Sequence, residues 1–295
     1  MGIDLRRPLP LNRLKYIPDT VEYIDVLRLD LLHDTISGNK WFKLKYNIEA
    51  MRGEGKTGMV SFGGAYSNHL HALAYAGYQL GFATVGMVRG EAVMNECLSD
   101  CVKWRMELHF MSRSEYRNKN NDLFLEGIRN RFSDYSIVPE GGDNELGARG
   151  CEEIMEGVNM QDYDVVCVSV GSGTTLRGIS SCMKPGQMLL GFAPMKGGGY
   201  LSEKLAPFVS HSNWRIIDRY ALGGFGVVKQ DLRDFATSFE SRESIALDYI
   251  YTAKMMYGLY DMYEEHIAVR DRVRVLAIHT GGLQGNRGFG QMRIC

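Results

Sequence analysis

The chain has 295 residues, a length typical of about two domains. Hydrophobic residues make up 45% of it and charged residues 23%, and the formal net charge of -1 gives no broad electrostatic footprint for nucleic acid or an acidic membrane. The sequence shows no signal-peptide core, no apolar stretch long enough for a bilayer and six scattered cysteines that are typical of reduced thiols. We therefore expect a cytoplasmic protein that binds neither nucleic acid nor membrane.

Short apolar runs alternate with longer amphipathic segments in the first half of the chain. In chain order the patterns predict a strand over 21–29, a helix over 40–51, a strand over 59–62, a helix over 67–80, a strand over 83–88 and a helix over 95–108. Ser67 or Asn68 is a natural N-cap for the second of these helices. The alternation favours an α/β protein.

The second half repeats this alternation with more deeply apolar strands. The sequence predicts strands over 136–138, 164–170, 188–192 and 273–279. The run DVVCVSV, residues 164–170, is typical of a strand that is covered on both faces. A strand, a glycine turn, a helix and another strand make the repeating unit of a doubly wound parallel sheet, and ligands of such sheets bind at the carboxyl ends of the strands.

The segment SGNKWFKLKYN, residues 37–47, places a lysine at the start of a helix. Gly38 lets the backbone turn, and the helix dipole should lower the pKa of Lys40 and favour the free amine that a Schiff base requires. A lysine at a helix start is, however, more often a solvated surface residue. Lys43 and Lys45 are interpreted as helix-surface charges, although Lys43 lies one turn on and could reach an anion.

The segment VSFGGAYSNHLHALA, residues 60–74, is a strand that ends in two glycines before a helix. Backbone N–H groups and a hydroxyl at such a helix start can bind a carboxylate, but the pattern is also that of an ordinary capped helix. His69 and His71 lie on different faces of this helix and make a poor metal pair, and Cys97 and Cys101 lack further ligands. The sequence predicts no metal site.

Two more strands end in glycine turns that carry hydroxyls. SVGSGTTLRG, residues 169–178, suits a phosphate group, although it is neither a Walker A motif nor a full dinucleotide fingerprint. VLAIHTGG, residues 275–282, presents His279, which would be either a base or a packed histidine. Tyr251 and Thr252 add a phenol and a hydroxyl at another helix start.

Together, in this order, these segments resemble the tryptophan-synthase-β-like (fold type II) pyridoxal-phosphate (PLP) enzymes, and among them the 1-aminocyclopropane-1-carboxylate (ACC) deaminase and D-cysteine desulfhydrase family. GNKWFKL is similar to the family's GNK-x-x-K-L motif, and VSFGGAYSNH to its V-S-x-G-G-x-x-S-N-[QH] motif. The resemblance runs from about Leu27 to Gly282. It implies two domains of open twisted parallel sheets with flanking helices, a large one of residues 1–50 plus 151–295 and a small one of residues 51–150, and a homodimer.

The resemblance also implies residue roles around PLP and a small amino-acid substrate. Lys40 would carry PLP as a Schiff base, Asn68 would bond the cofactor's phenolate or the substrate carboxylate, and Thr280 would approach the pyridine nitrogen. Ser67 and Tyr251 would act with Lys40 in catalysis and, with Asn68 and His69, bind the substrate. The phosphate would be held by Gly171, Ser172, Gly173, Thr174 and Thr175.

Two departures from the family bear on the reaction. ACC deaminases have a glutamate at the position of Thr252 and a tyrosine at that of Phe225, so the resemblance favours elimination of a β-substituent, as in D-cysteine desulfhydrases, with a 2-oxo acid and ammonia as products. Racemisation, β-replacement and ACC deamination on the same cofactor are alternatives. A catalytically idle PLP-binding protein and a nucleotide-binding module without PLP are alternatives from other classes.

Overall fold

A computed structural model describes residues 2–264 and 272–290 of the chain. Its strands are β1 Leu11–Arg13, β2 Val21–Arg28, β3 Gly58–Gly64, β4 Ala83–Arg89, β5 Glu107–Met111, β6 Tyr135–Val138, β7 Val165–Ser169, β8 Met188–Phe192, β9 Trp214–Ile217 and β10 Val273–His279. Its helices are α1 Lys40–Gly53, α2 Asn68–Leu80, α3 Glu96–Lys103, α4 Arg113–Tyr116, α5 Asp122–Arg131, α6 Glu145–Glu152, α7 Thr174–Cys182, α8 Tyr200–Leu205, α9 Gln230–Glu243, α10 Thr252–Glu264 and α11 Arg287–Gly290.

The larger sheet has six strands in the order β1-β2-β10-β7-β8-β9. β1 is antiparallel to β2, and the other neighbours are parallel. β10, far along the chain, lies between two earlier strands, with Val275 opposite Ile24 of β2 and Val165 of β7. The carboxyl ends of β2, β10 and β7 therefore meet at one edge of the sheet, where the predicted turns begin.

The smaller sheet has four parallel strands in the order β5-β4-β3-β6. Successive residues of β3 pack into different cores, Met59 into one cluster and Val60 and Phe62 into another. This alternation shows that both faces of the sheet are covered, as a parallel sheet requires. The predicted α/β class, with parallel sheets and flanking helices, is confirmed. The four strands fall within residues 51–150, while the predicted domain boundaries stay a prediction.

The helix predicted over 95–108 is wrong in its second half. α3 ends at Lys103, and Arg105 adopts a left-handed backbone with φ of 65°, a conformation that ends a helix. The chain then enters β5 at the edge of the smaller sheet. Three strands, β1, β5 and β9, were not predicted, because they lie at sheet edges, are largely exposed or half-buried, and lack the continuous apolar run of a central strand.

Two further observations concern the surface and the thiols. In the ranges that the structure describes, no helix combines the length and the apolar character that a membrane span demands. Cys97, Cys101, Cys151, Cys167 and Cys182 are free thiols. Cys295 lies outside the described residues.

Candidate active site

Lys40 is the first residue of α1, as predicted, and is half-buried. Its Nζ donates a hydrogen bond to Asn39 Oδ1. Burial, together with the nearby charge of Lys43, lowers the pKa of Lys40 to about 7, although the charge of Asp248 opposes the shift. About half of the amine is thus unprotonated at neutral pH, and desolvation, rather than the helix dipole invoked from the sequence, is the main cause.

The backbone before Lys40 is pressed against the turn that follows β10. Gly38 has a φ of 74°, and a Cβ atom there would lie only 2.0 Å from the carbonyl oxygen of Thr280. Asn39 N donates to the same carbonyl at 3.2 Å. The structure therefore places Thr280, which is buried, directly beside the lysine segment. Glycine is required at residue 38 by the left-handed φ and by this close approach.

Asn39 connects the lysine segment to a second turn. Its Nδ2 donates to the hydroxyl of Thr175 at 2.7 Å, and both residues are buried. Sequence reasoning did not select Asn39, although it stands in the GNK motif. Because Asn39 contacts both Lys40 and Thr175, it holds the amine next to the turn between β7 and α7.

The turn between β3 and α2 presents Ser67 and Asn68. Ser67 is the N-cap of α2 and accepts a hydrogen bond from Leu70 N at 3.2 Å, which leaves its own O–H free to donate. A Cβ atom on Gly63 would lie 2.4 Å from Ser67 Oγ, so only glycine lets the turn close this tightly. The Oδ1 atom of Asn68 is buried and has no hydrogen-bond partner within the described chain. An unsatisfied acceptor of this kind is what a ligand would pair with.

His69 lies near two of the lysines of α1, Lys40 and Lys43. Its Nε2 lies 2.9 Å from Ser61 Oγ, and Ser61 donates its own proton to the carbonyl of Val138 at 2.8 Å, so His69 Nε2 carries the hydrogen. Burial and the charges of Lys43 and Lys40 lower the pKa of His69 to about 3. The neutral ring keeps a buried Nδ1 acceptor that no described residue satisfies.

The turn between β7 and α7 holds a chain of hydroxyls. Gly173 is the N-cap of α7 with a φ of 99°. Ser172 Oγ and Thr174 Oγ1 lie 2.8 Å apart, and Thr174 donates to Asp143 Oδ1 at 3.1 Å. The first backbone N–H groups of α7 have no intrahelical acceptor, so this turn combines amide and hydroxyl donors at the positive end of a helix dipole.

Lys43 and Lys204 both donate hydrogen bonds to this turn. Lys43 is buried, contrary to its interpretation as a helix-surface charge, and its Nζ donates to Ser172 Oγ at 3.4 Å. Lys204 Nζ donates to the Ser172 carbonyl at 3.1 Å and pairs with Asp143 Oδ2 at 2.6 Å. Two ammonium groups next to a helix N-terminus suit a phosphate dianion. Sequence reasoning missed Lys204 and Asp143, which carry no local signal.

The side chain of Tyr251 packs against the turn between β7 and α7. A Cβ atom on Gly171 would lie 3.3 Å from Tyr251 Cε1 and 3.4 Å from its hydroxyl oxygen, so the phenol ring packs on the backbone of Gly171. Burial raises the pKa of Tyr251, and the phenol keeps its proton. The ring of Phe225 meets that of Tyr251 edge to face, with centroids 6.0 Å apart.

The buried carboxyl group of Asp248, which was not selected from the sequence, also lies at the candidate site. Asp248 Oδ1 caps α10 by accepting a hydrogen bond from Tyr251 N at 2.6 Å, and the Thr252 hydroxyl accepts from Asp248 N at 2.7 Å. Asp248 Oδ2 is buried without a partner within the described residues. A Cβ atom on Gly282 would lie 3.5 Å from Asp248 Oδ2 and 2.8 Å from Asn68 Nδ2. Asp248 and Asn68 therefore flank the same glycine.

The histidine at the end of β10 is a packed residue. His279 Nδ1 accepts a hydrogen bond from Gly281 N at 3.2 Å, and Nε2 bonds the Ala246 carbonyl at 2.7 Å. Both ring nitrogens are used, and burial lowers the pKa of the ring. His279 supports the backbone of the turn that carries Thr280.

Comparison with known proteins follows from this geometry. No protein-family model matches the chain. A putative ACC deaminase of Thermotoga maritima is 29% identical, over 97% of this chain and 97% of its own length. A D-cysteine desulfhydrase of Salmonella newport is 24% identical, over 91% of this chain and 90% of its own. Over nearly its whole length the chain is similar to proteins named ACC deaminase and D-cysteine desulfhydrase, as its motifs predicted.

A solved structure confirms that the family fold extends over the chain. The crystal structure of an ACC deaminase homologue superposes with a TM-score of 0.83, covers 97% of this chain and 93% of its own, and is 23% identical. The predicted fold type II architecture is thereby confirmed. The roles that the resemblance assigned to Lys40, Ser67, Asn68, Tyr251 and Thr280 stay predictions.

The ACC deaminase and D-cysteine desulfhydrase families are PLP-dependent, and the residues present in this chain fit that group. PLP needs an unprotonated lysine amine, a phosphate cup and polar partners for its ring. Lys40 supplies the amine, and the β7–α7 turn together with Lys43 supplies the phosphate-binding site. The amide group of Asn68 has an unsatisfied oxygen, Oδ1. Its nitrogen, Nδ2, lies beside Gly282, in the turn that also carries Thr280. The donors and acceptors thus have the chemistry that PLP requires.

Proposed function

We propose that this chain is a PLP-dependent enzyme that eliminates a β-substituent from a small amino acid, with D-cysteine-like substrates, to give a 2-oxo acid and ammonia. The observation that carries the proposal is the amine of Lys40, whose pKa is lowered to about 7 and which Asn39 connects to the anion-binding turn at α7. Similarity to relatives named ACC deaminase and D-cysteine desulfhydrase supports the same reaction class.

Specific residues would hold the cofactor. Lys40 would form the covalent link, and Asn68 and Thr280 would bond the ring. The phosphate would lie against the α7 N-terminus, opposite Lys43. That cup would be formed by Gly171, Ser172, Gly173, Thr174 and Thr175. When bound, PLP withdraws electrons from the substrate carbon that bears the amino group.

The chain's own groups supply the proton transfers. Lys40 Nζ can accept the Cα proton, because its lowered pKa leaves a large fraction of the amine unprotonated at neutral pH. Tyr251 retains its proton and acts as a donor rather than a base. The free O–H of Ser67 and the first N–H groups of α2 can bind the substrate carboxylate.

The departure at Thr252 favours elimination over ring opening. Its hydroxyl is engaged with the backbone of Asp248 in the cap of α10. No carboxylate is available at that position to stabilise a protonated pyridine. A hydroxyl at this position suffices when the substrate carries a good β-leaving group.

An absorbance spectrum tests the proposal. The protein reconstituted with PLP is compared with Lys40→Ala and, as a control, with a variant of an exposed lysine on α3, Lys103→Ala. We expect the band of lysine-bound PLP in the parent and in the control but not in Lys40→Ala, and a shift with release of pyruvate on addition of D-cysteine or a β-chloro amino acid. A parent protein without the band would overturn the cofactor, and a band that Lys40→Ala retains would overturn the lysine assignment.

ACC deamination is the second candidate, because a relative of this chain carries that name. Product analysis separates the two, since ACC would yield 2-oxobutyrate and D-cysteine would yield pyruvate and sulfide. An enantiomer as the product would indicate racemisation, and incorporation of an added nucleophile would indicate β-replacement. A spectrum that no amino acid perturbs would indicate an idle PLP-binding protein. Homodimerisation and a cytoplasmic location stay predictions.

A further inference from the structure

Lys254, on α10, is buried although, within the described chain, no carboxylate is bonded to its amine. The residue is 2% exposed. Its Nζ donates to the carbonyls of Ala221 and Gly224, each at 2.8 Å, and to that of Pro194 at 3.3 Å. An ammonium group has three donors, and here three carbonyls accept them. Burying a charge costs free energy unless it is well bonded, so this arrangement indicates a specific role for Lys254.

The two nearer carbonyls belong to an irregular segment, residues 221–226, which we name the 221–226 loop. Leu222, Gly223, Gly224 and Gly226 have left-handed φ values between 49° and 116°. The Ala221 carbonyl also accepts from Gly224 N at 3.0 Å, and the Gly224 carbonyl from Val227 N at 3.2 Å. Lys254 therefore binds the same two oxygens that hold the turns of the loop together.

The loop carries one large apolar side chain to the candidate site. Phe225 is 53% exposed, and its ring contacts Tyr251 edge to face. Tyr251 in turn packs on Gly171 of the β7–α7 turn. Tyr251 precedes Lys254 by three residues, one helical turn, so the start of α10 fixes both the phenol and the loop opposite it.

We infer that Lys254 is a positioning residue that holds Phe225 against Tyr251, and that the two rings form the wall of the site that faces the substrate's β-substituent. This inference rests on the proposed function. The wall is apolar apart from the Tyr251 hydroxyl, so it suits an uncharged substituent such as a thiol or chlorine rather than a second carboxylate or an ammonium group.

Hydrogen exchange of the cofactor-free protein tests the part played by Lys254. Lys254→Met keeps the length of the side chain and removes the donors, and Lys103→Met is the control. We expect the amides of Gly224 and Val227 to exchange about tenfold faster in Lys254→Met, because each acceptor carbonyl loses an ammonium bond, with no change in α9. Unchanged exchange at both amides would overturn the role of Lys254.

Steady-state kinetics with β-chloro-D-alanine test the wall. Phe225→Ala, at a half-exposed residue that does not endanger folding, should raise KM about fivefold with kcat nearly unchanged, which is the signature of lost ground-state binding. Lys254→Met should do the same. Because Lys254 acts through Phe225, the double variant should show no larger KM than the worse single variant.

The outcomes of these experiments distinguish failure of the wall from failure of the proposed function. Additive effects in the double variant, or a KM that Phe225→Ala leaves unchanged, would overturn the wall. If the parent protein turns over no amino acid, the proposed function and the wall both fail, and exchange alone decides whether Lys254 holds the loop. If Lys254→Met does not fold, the KM of Phe225→Ala for β-chloro-D-alanine decides the wall, which a raised KM supports and an unchanged KM overturns.

Discussion

The turns that end β3 and β7 look alike in sequence, since each runs from a buried strand through glycines and hydroxyls into a helix. Their surroundings differ. At the β7 turn, Ser172 and Thr174 are bonded to each other, and Lys43 and Lys204 both donate to Ser172. At the β3 turn, the Ser67 side chain accepts from Leu70 of the helix that it caps, and the amide oxygen of Asn68 has no partner among the described residues.

This contrast indicates different ligands for the two turns. Two ammonium groups and a helix N-terminus match the charge of a phosphate dianion. The hydroxyl of Ser67 and a helix N-terminus match a carboxylate that must enter and leave in each catalytic cycle. The same local motif can thus serve a resident group or a transient one, and side chains distant in sequence decide which.

The largest effect is expected from closing the β7 turn with Gly173→Ala. A Cβ atom there would lie 2.3 Å from Leu205 Cδ2, on a backbone with a φ of 99°. We expect a loss of about 2 kcal/mol in the free energy of unfolding and more than about 100-fold in PLP affinity. Chemical denaturation and PLP titration measure the two, with Gly199→Ala, where the added carbon contacts nothing, as the control. Unaltered PLP affinity would contradict the phosphate assignment.

The second effect tests the difference in charge between the β7 turn and the β3 turn. Lys43→Met should weaken PLP binding about 30-fold, because a buried charged hydrogen bond to the phosphate is lost. Binding of pyridoxal, which lacks the phosphate, should change little. Comparison of the two affinities by absorbance titration checks this, and equal losses for both ligands would show that Lys43 does not act on the phosphate.

The third effect concerns Lys40, whose amine Asn39 holds beside the β7 turn. Its pKa is lowered to about 7, so the unprotonated fraction rises as pH increases through 7. The rate of reaction with pyridoxal should increase about tenfold from pH 6 to pH 8 and then level off. Stopped-flow absorbance, with the rate of Lys40→Ala subtracted, measures it. A rate that continues to climb to pH 10 would indicate an ordinary surface lysine.

The smallest effect belongs to the β3 turn. Ser67→Ala removes the cap of α2 and should cost about 1 kcal/mol in the free energy of unfolding. Asn121→Ala, which removes the cap of α5, should cost a similar amount. Only Ser67→Ala should also raise KM, about fivefold, because it alone removes a carboxylate donor. Equal KM values in the two variants would show that Ser67 acts only as the cap of α2.

The local features of the site could be predicted from the sequence. The start of α1 at Lys40 and the capping of α2 by Ser67 depend on residues within one turn of each other, and both are confirmed. The burial of Lys43 could not be predicted, because its partner Ser172 lies 129 residues away. Asp248 was missed for a related reason. Its cap of α10 is local, but its unsatisfied oxygen becomes visible only once Gly282 lies beside it.

The position of β10 has a consequence for how the molecule is made. Because β10 lies between β2 and β7, a growing polypeptide holds these two strands without their shared neighbour until residue 279 has left the ribosome. The same late stretch supplies the Thr280 carbonyl against which Gly38 and Asn39 pack. Lys40 is synthesised well before β10, yet its surroundings form only after Thr280 has been made, so capture of the cofactor must wait for β10 to join the sheet.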